Sequence, residues 1–262
     1  MIYINKNRTP KGLLGYLENT AKTMQSYEGE NKKSGYHSFT KKERGFNGAF
    51  DELRTSLVNE QKGICCYCQS RIAFSPKKAD GTGLVIDMKT EHFLPKSIDP
   101  NGKFDHSAKV LDYSNLLASC LGNSDSKRKN HCDSSKGNKE LKYIKNPSFG
   151  KKKGFEPVFE YYVILNKKQK EVRIVPIEPN TDLKHDINII LNLNEQNLKE
   201  SRFRAWKKVD RDLKKNNKGE YTLEKLQEQL KIYKPNPHDK EFEEFCGFIT
   251  SWLEGKIKSY SK

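Results

Sequence analysis

The sequence predicts an α+β protein, and three observations carry that expectation. Apolar residues recur at three- and four-residue steps over residues 43–61 and again in several segments after Pro179, which is the spacing of one helix face. Residues 158–165 and 171–177 alternate instead, as half-buried strands do. Between these regions lies a stretch bearing cysteines, a histidine and short apolar runs, from Cys65 to Asn138.

The elements follow in order. Residues 1–42 form a basic opening rich in Lys, Asn and Ser, where Leu13, Leu14 and Leu17 predict a short helix in a partly mobile segment. In 43–61, Phe46, Ala49, Phe50, Leu53, Leu57 and Val58 share one helical face, and Gly63 ends the helix. Residues 75–83 read as a polar loop, Leu84-Val85-Ile86 as a short strand, 95–109 as a long connection, and the region near Leu116 as a second short strand. Beyond Gly154 the two alternating segments, joined by 166–170, make a hairpin. Helical patterns then cover 183–191, 195–214, 223–233 and 242–257, with Pro235-Asn236-Pro237 as a turn before the last. The organisation is thus a basic N-terminal segment (1–42), a motif-bearing core (43–150) and a hairpin-plus-helices region (151–262).

Composition narrows the class. Of 262 residues, 34% are hydrophobic and 32% charged, so a modest core under a polar surface is expected. The net charge of +15 comes from lysines spread along the chain, including Lys151-Lys152-Lys153 and Lys167-Lys168. A polyanion is the natural partner, and a merely lysine-rich surface is the alternative. No segment approaches the roughly 18 apolar residues of a membrane span, and the first residues lack the apolar run of a secretory signal. A cytoplasmic protein without membrane contact is expected. In that reducing setting the six cysteines are expected to be thiols or metal ligands rather than disulfides.

Cys65 and Cys68 flank a two-residue knuckle, from which both thiolates reach one tetrahedral zinc ion. Cys120 and Cys132 are the candidates for the second pair, with His131 or Cys66 as possible substitutes and ordinary buried thiols as the alternative. Cys246 sits in a helical pattern with Phe242, Phe245 and Ile249 and reads as core. Between the pairs stands Thr90-Glu91-His92-Phe93-Leu94-Pro95-Lys96-Ser97. Neutral imidazole accepts a proton near pH 7, so His92 suits the base that phosphodiester hydrolysis requires. His37, His106, His185 and His238 read as surface. Lys96, Lys127, Arg128, Lys129, Lys136 and Lys139 gather in sequence around this stretch, where each suits a phosphate or plain solvent.

The ordered set Cys-x-x-Cys, Glu-His-x-x-Pro, Asn115-Leu116 and Cys132-Asp133-x-x-Lys136-Gly137 resembles the HNH endonucleases with their ββα-metal motif. That resemblance implies a zinc-supported nuclease core in which His92 is the general base and Asn115 orients the His92 backbone. It further implies that Asp133 and Glu91 ligate a catalytic Mg²⁺ or Mn²⁺ ion and that Lys136 faces the scissile phosphate. Glu91 stands where Asp is frequent and Asp133 where His or Asn is frequent, and both remain hard oxygen ligands. Read without the resemblance, Asn115 is also a strand-end turn residue and Asp133 a helix N-cap. A longer match, adding the helix before the cysteines and Leu191-Asn192-Leu193-Asn194 with Leu198 and Arg202, resembles the nuclease subunits of Septu-type and retron-associated anti-phage systems. It implies DNA as substrate and an ATPase partner docked in part on the C-terminal region. The competing expectations are a zinc-stabilised nucleic-acid-binding module without catalysis and a pure interaction subunit.

Overall fold

The computed structural model describes residues 1–24, 39–40, 48–72, 74–76, 84–96, 106–124, 126–149, 158–215 and 219–260. The mixed α+β expectation holds: helices surround three two-stranded antiparallel sheets among the described residues. Helix α1 (Lys11–Met24) packs on α2 (Ala49–Glu60). The sequence places the start of α2 at residue 43, and Phe46 lies outside the described residues. Its apolar face buries Ala49, Leu53, Leu57 and Val58 against Leu13, Tyr16 and Phe39. The stop is a left-handed turn in which Lys62 (φ 53°) and Gly63 (φ 78°) reverse the chain, and the Gly63 N–H donates to Val58 C=O at 3.0 Å.

Strand β1 (Phe74–Pro76) pairs with β2 (Leu84–Ile86), so Ser75 and Pro76 belong to a strand where the sequence suggested loop. The functional region is built on β3 (Lys89–His92) and β4 (Leu116–Ser119), paired antiparallel with Glu91 opposite Leu117 and His92 opposite Leu116. Opposed residues share a sheet face. Leu116 and Ala118 join the core formed by α1 and α2, whereas Leu117 joins the core around the cysteines. Glu91 is therefore delivered to the cysteine side and His92 to the other. The far edge of β4 is completed by a side chain: the Gln61 amide donates to Ala118 C=O at 2.8 Å and accepts from Ala118 N–H at 2.7 Å. The short helix α3 (Asp133–Lys136) follows.

The predicted hairpin is β5 (Phe159–Leu165) and β6 (Lys170–Pro176), in register from Phe159 opposite Pro176 to Leu165 opposite Lys170. The Asn166 carboxamide closes its turn by accepting from the N–H groups of Lys168 (2.9 Å) and Gln169 (2.7 Å). Where one helix was expected over 183–191, α4 (Thr181–His185) runs into a wider π-type turn, Asp186–Ile190. Its buried first residue is engaged elsewhere, because the Asp186 carboxylate accepts from the N–H groups of Lys142, Tyr143 and Ile144 at 3.0, 2.8 and 3.0 Å. Helices α5 (Gln196–Lys214), α6 (Leu223–Tyr233) and α7 (Cys246–Tyr260) complete the chain. The last starts four residues later than its apolar pattern suggests, since Phe242 and Phe245 donate their N–H groups to Lys62 and Gln69 C=O, and Phe245 takes φ 54°. Cys246 is core, as expected.

One hydrophobic cluster contains Ile4, the cysteines other than Cys246, Leu117, Phe159, Ile174, Leu183, Leu193 and Leu198, and so runs across the sequence divisions at 42 and 150. The N-terminal segment, whose Ile4 joins this cluster, is also tied to β4 and α2: Lys6 Nζ donates to Leu116 C=O at 2.5 Å and pairs with the buried Glu60 at 3.3 Å. Among the described residues no helix is long and apolar enough to cross a membrane.

Candidate metal centre and the adjoining cleft

Cys65 and Cys68 lie on the knuckle after α2, whose turn is closed by Gln69 N–H donating to Cys65 C=O at 3.1 Å and Cys65 N–H to Ser70 C=O at 2.9 Å. Cys120 follows β4 directly, and Cys132 is the N-cap of α3 with φ 55°. The four sulfurs, all buried, lie within 4.8 Å of one another, with Cys65–Cys132 at 3.9 Å and Cys68–Cys120 at 3.7 Å. Zinc–thiolate bonds of about 2.3 Å in tetrahedral geometry require sulfur–sulfur edges of about 3.8 Å. These four thiols could therefore hold a metal ion such as zinc, as their spacing predicts. The two substitutes stay outside the set. His131 Nδ1 stands 3.2 Å from Cys132 Sγ and 3.9 Å from Cys120 Sγ. Cys66, whose thiol burial pushes up, uses its N–H to dock on Ala118 C=O at 3.0 Å.

Two further features shape this centre. Arg202 is fully buried, donates to Leu193 C=O at 2.6 Å, and has Cys68 and Cys132 as electrostatic neighbours. Four thiolates around a dication leave an anionic complex, so a guanidinium there opposes its desolvation cost. The basic loop between Cys120 and Cys132 closes through His131 N–H donating to Gly122 C=O at 3.1 Å. Gly122 has φ +62°, and a Cβ there would sit 2.2 Å from the His131 carbonyl oxygen, so only glycine fits.

Directly beside the sulfurs, Glu91 is fully buried. Its Oε1 accepts from Tyr67 OH at 2.7 Å and from Lys136 Nζ at 2.8 Å, while Oε2 is buried without a hydrogen-bond donor. Burial, then the Asp133 carboxylate within hydrogen-bonding reach, push its pKa up to about 8 against the opposing pull of Lys136. A buried carboxylate with one oxygen lacking a donor and a second carboxylate within hydrogen-bonding reach could hold a hard divalent cation. Asp133 is the first residue of α3 and makes no capping bond, so the N-cap alternative fails: Cys132 occupies that position.

His92 is 5% exposed, and its Nε2 lies 3.0 Å from Val110 C=O. An acceptor at that distance requires the proton on Nε2, so the neutral ring carries its lone pair on Nδ1. Burial and the nearby Lys96 and Lys136 ammonium groups lower the pKa to about 4. Asn115 does not hold the His92 backbone, as the resemblance implied. Its side chain accepts from Leu94 N–H at 2.7 Å and donates to Leu94 C=O at 3.1 Å and Lys109 C=O at 3.0 Å. The register explains the shift: His92 pairs with Leu116, so Asn115 stands one step beyond it, where its own C=O receives Phe93 N–H at 3.0 Å. The His92 carbonyl is taken instead by Lys136 Nζ at 2.9 Å. Lys136, 1% exposed, is thus an internal strut and does not face a phosphate.

Above these groups opens a cleft of about 580 Å³ lined by His92, Asp133, Lys89, Lys96 and Arg54, among others. No protein-family model matches the chain, and no curated protein matches it significantly. Sequence reasoning brought together the four cysteines, Glu91, His92, Asp133 and Lys136, and it missed three residues. Lys89 reaches Ser134 Oγ at 2.8 Å and approaches Asp133 at 4.0 Å. Arg54 donates to Met88 C=O at 3.3 Å from the outer side of α2. Tyr67, between Cys66 and Cys68, carried the one signal available: an aromatic inside a metal knuckle. Lys127, Arg128, Lys129 and Lys139 are exposed, and His106 is paired with Glu140 rather than free on the surface. Ser97 and His37 lie outside the described residues.

Proposed function

We propose that the chain is a metal-dependent HNH endonuclease that hydrolyses DNA phosphodiester bonds, with β3, β4 and α3 as its ββα-metal core. The observation that carries this reading is the buried Glu91, with one oxygen lacking a donor and Asp133 within hydrogen-bonding reach, behind a cleft lined by that Asp133, by a His92 held through Nε2 on Val110, and by Lys89, Lys96 and Arg54. A non-catalytic zinc-stabilised binding module accounts for the cysteines and the cations. It gives no reason to set a second carboxylate, Asp133, within hydrogen-bonding reach of a buried acid whose other oxygen Lys136 and Tyr67 already engage.

In the proposed mechanism Lys89, Lys96 and Arg54 position the backbone phosphate in the cleft. Nδ1 of His92 accepts the proton of the attacking water, and the Nε2–H bond to Val110 keeps the ring oriented as that proton arrives. A low pKa alone would make a weak base, but an incoming phosphodiester supplies the negative charge that raises proton affinity at His92. Asp133 and Glu91 would hold a Mg²⁺ or Mn²⁺ ion, which when bound stabilises charge on the phosphate and on the leaving 3′ oxygen. Zinc in the four-cysteine centre would be structural. By resemblance to the Septu-type and retron-associated nucleases, the chain acts in anti-phage defence with an ATPase partner, in the cytoplasm, and the hairpin with its exposed Tyr162 and Leu165 offers docking surface.

The test is cleavage of supercoiled plasmid by the full chain and by His92→Ala, in Mg²⁺, Mn²⁺ or EDTA, alone and with any copurifying partner. Metal-dependent nicking lost in the variant, with zinc content unchanged, is the expected result. Full activity of His92→Ala, or DNA binding without cleavage under every condition, would refute it.

A further inference from the structure

The sulfur cluster and the carboxylate pair are not merely neighbours. Tyr67 is 1% exposed and lies between Cys66, whose N–H is docked on β4, and Cys68, one of the four thiols. Its hydroxyl is the neutral donor to Glu91 Oε1, shared with Lys136 Nζ, which in turn is anchored on the His92 carbonyl. On the other side, Asp133 directly follows Cys132, a second of the four thiols. Both acids are therefore fixed from the cysteine knuckles, one through a hydroxyl and one through the chain.

Resting on the divalent-ion reading above, we infer that Tyr67 is a positioning residue for the ion site: it holds Glu91 by Oε1 so that Oε2 is left for a divalent cation shared with Asp133. Two donors on one oxygen disfavour rotation of the carboxylate, because turning the group would strand the buried tyrosine hydroxyl and leave Lys136 only the His92 carbonyl. The ion then meets a preformed ligand and the protein avoids the entropy of ordering it on binding. The cysteine knuckle thereby acts on metal affinity at the Glu91–Asp133 pair.

The experiment uses Tyr67→Phe in the full zinc-loaded chain, since it removes one oxygen and keeps the buried ring. Mn²⁺ affinity is read by electron paramagnetic resonance of the free ion, without DNA, alongside zinc content and thermal melting. Tyr113→Phe, a buried tyrosine of the α1–α2 core stacked under Lys6, is the control. The expected result is Mn²⁺ binding weakened about five- to tenfold in Tyr67→Phe, the loss of one buried hydrogen bond, with zinc retained and the control unchanged. Wild-type Mn²⁺ binding that Tyr67→Phe leaves intact overturns the inference. So does a variant that sheds zinc together with Mn²⁺, because the hydroxyl would then serve only the knuckle. A wild-type chain that binds no Mn²⁺ refutes instead the divalent-ion reading on which the inference stands.

Discussion

Replacing Asn115 by Ala removes three hydrogen bonds at once, to Leu94 N–H, Leu94 C=O and Lys109 C=O, from a side chain 3% exposed. At about 1 kcal/mol net for each bond, the loss is about 3 kcal/mol. For a chain of this length a kcal/mol shifts the melting temperature by about 2–4 °C, so a drop of roughly 6–12 °C is expected. The kinetic effect should exceed the thermal one in proportion. Leu94 is two residues beyond His92, and Lys109 adjoins Val110, whose carbonyl sets the His92 tautomer. Freeing that clasp loosens both the backbone and the ring contact of the base, and a displacement of about 1 Å at a reacting group costs on the order of a hundredfold. Melting curves, zinc content and plasmid cleavage by Asn115→Ala and the isosteric Asn115→Asp separate the possibilities. The Asp variant keeps the acceptor for Leu94 N–H but turns both donors into an anion facing two carbonyls, so it should be no better than Ala. A wild-type melting temperature together with wild-type cleavage in either variant would show that Asn115 is only a strand-end turn residue.

Proton linkage gives a second test. Glu91 has its pKa raised to about 8, so its contribution to the stability of the metal-free fold is present below the unfolded value of 4.5 and is lost as pH rises through 8. Binding of Mg²⁺ to the ionised acid should reverse that loss, so the melting shift produced by Mg²⁺ should be larger at pH 9 than at pH 6; an equal shift at both would refute the assignment. His92 has the opposite sign: with its pKa lowered to about 4, its contribution is present above 6.5 and disappears as pH falls toward 4. Stability over that window should fall less steeply in His92→Ala than in wild type, measured by denaturant titration. Finally, two glycines with positive φ should respond unequally to alanine. Gly137→Ala meets open space and costs about 1–2 kcal/mol of backbone strain, whereas Gly122→Ala also collides with the His131 carbonyl and should cost about 3 kcal/mol or more with loss of zinc. Equal melting temperatures and zinc contents in the two variants would exclude that role for Gly122.

How far the sequence revealed this arrangement depends on how local each cause is. The hairpin 159–176 and the helices α5 and α6 were legible to within a residue or two, because alternation and three-to-four spacing are decided by near neighbours. The errors lie where a distant group intervenes. The start of α7 is delayed because Phe242 and Phe245 serve the cysteine knuckle, and the π-type turn after α4 accompanies the binding of Asp186 to three amides more than forty residues away. Likewise Cys65 and Cys68 declared themselves by spacing and Cys120 and Cys132 stood as candidates for the second pair, while the donor on Glu91 did not show itself. Nothing in Cys-Cys-Tyr-Cys states that the tyrosine will point across a sheet, since that follows from Cys66 docking on Ala118 and Glu91 pairing with Leu117.

The misplacement of Lys136 is the most instructive of these. A lysine directly after a serine pair, close to the basic run Lys127-Arg128-Lys129, looks like a phosphate ligand, yet its ammonium is buried between a carboxylate and a carbonyl. The reason is the length of α3. Four residues make barely one turn, so Lys136 projects from the same side as Cys132, the cap that the sulfur cluster pulls into the core. A buried ammonium is tolerated only with acceptors in reach, and Glu91 with the His92 carbonyl provides two. One side chain then ties the helix, the acid and the base-bearing strand together. In the proposed reading phosphate contact falls to Lys89, at the start of β3, and Lys96, four residues beyond its end, both of which line the cleft and are partly or fully open to solvent. Charge on this chain thus divides by depth: the cations open to solvent are those that the cysteine cluster and Glu91 do not draw inward.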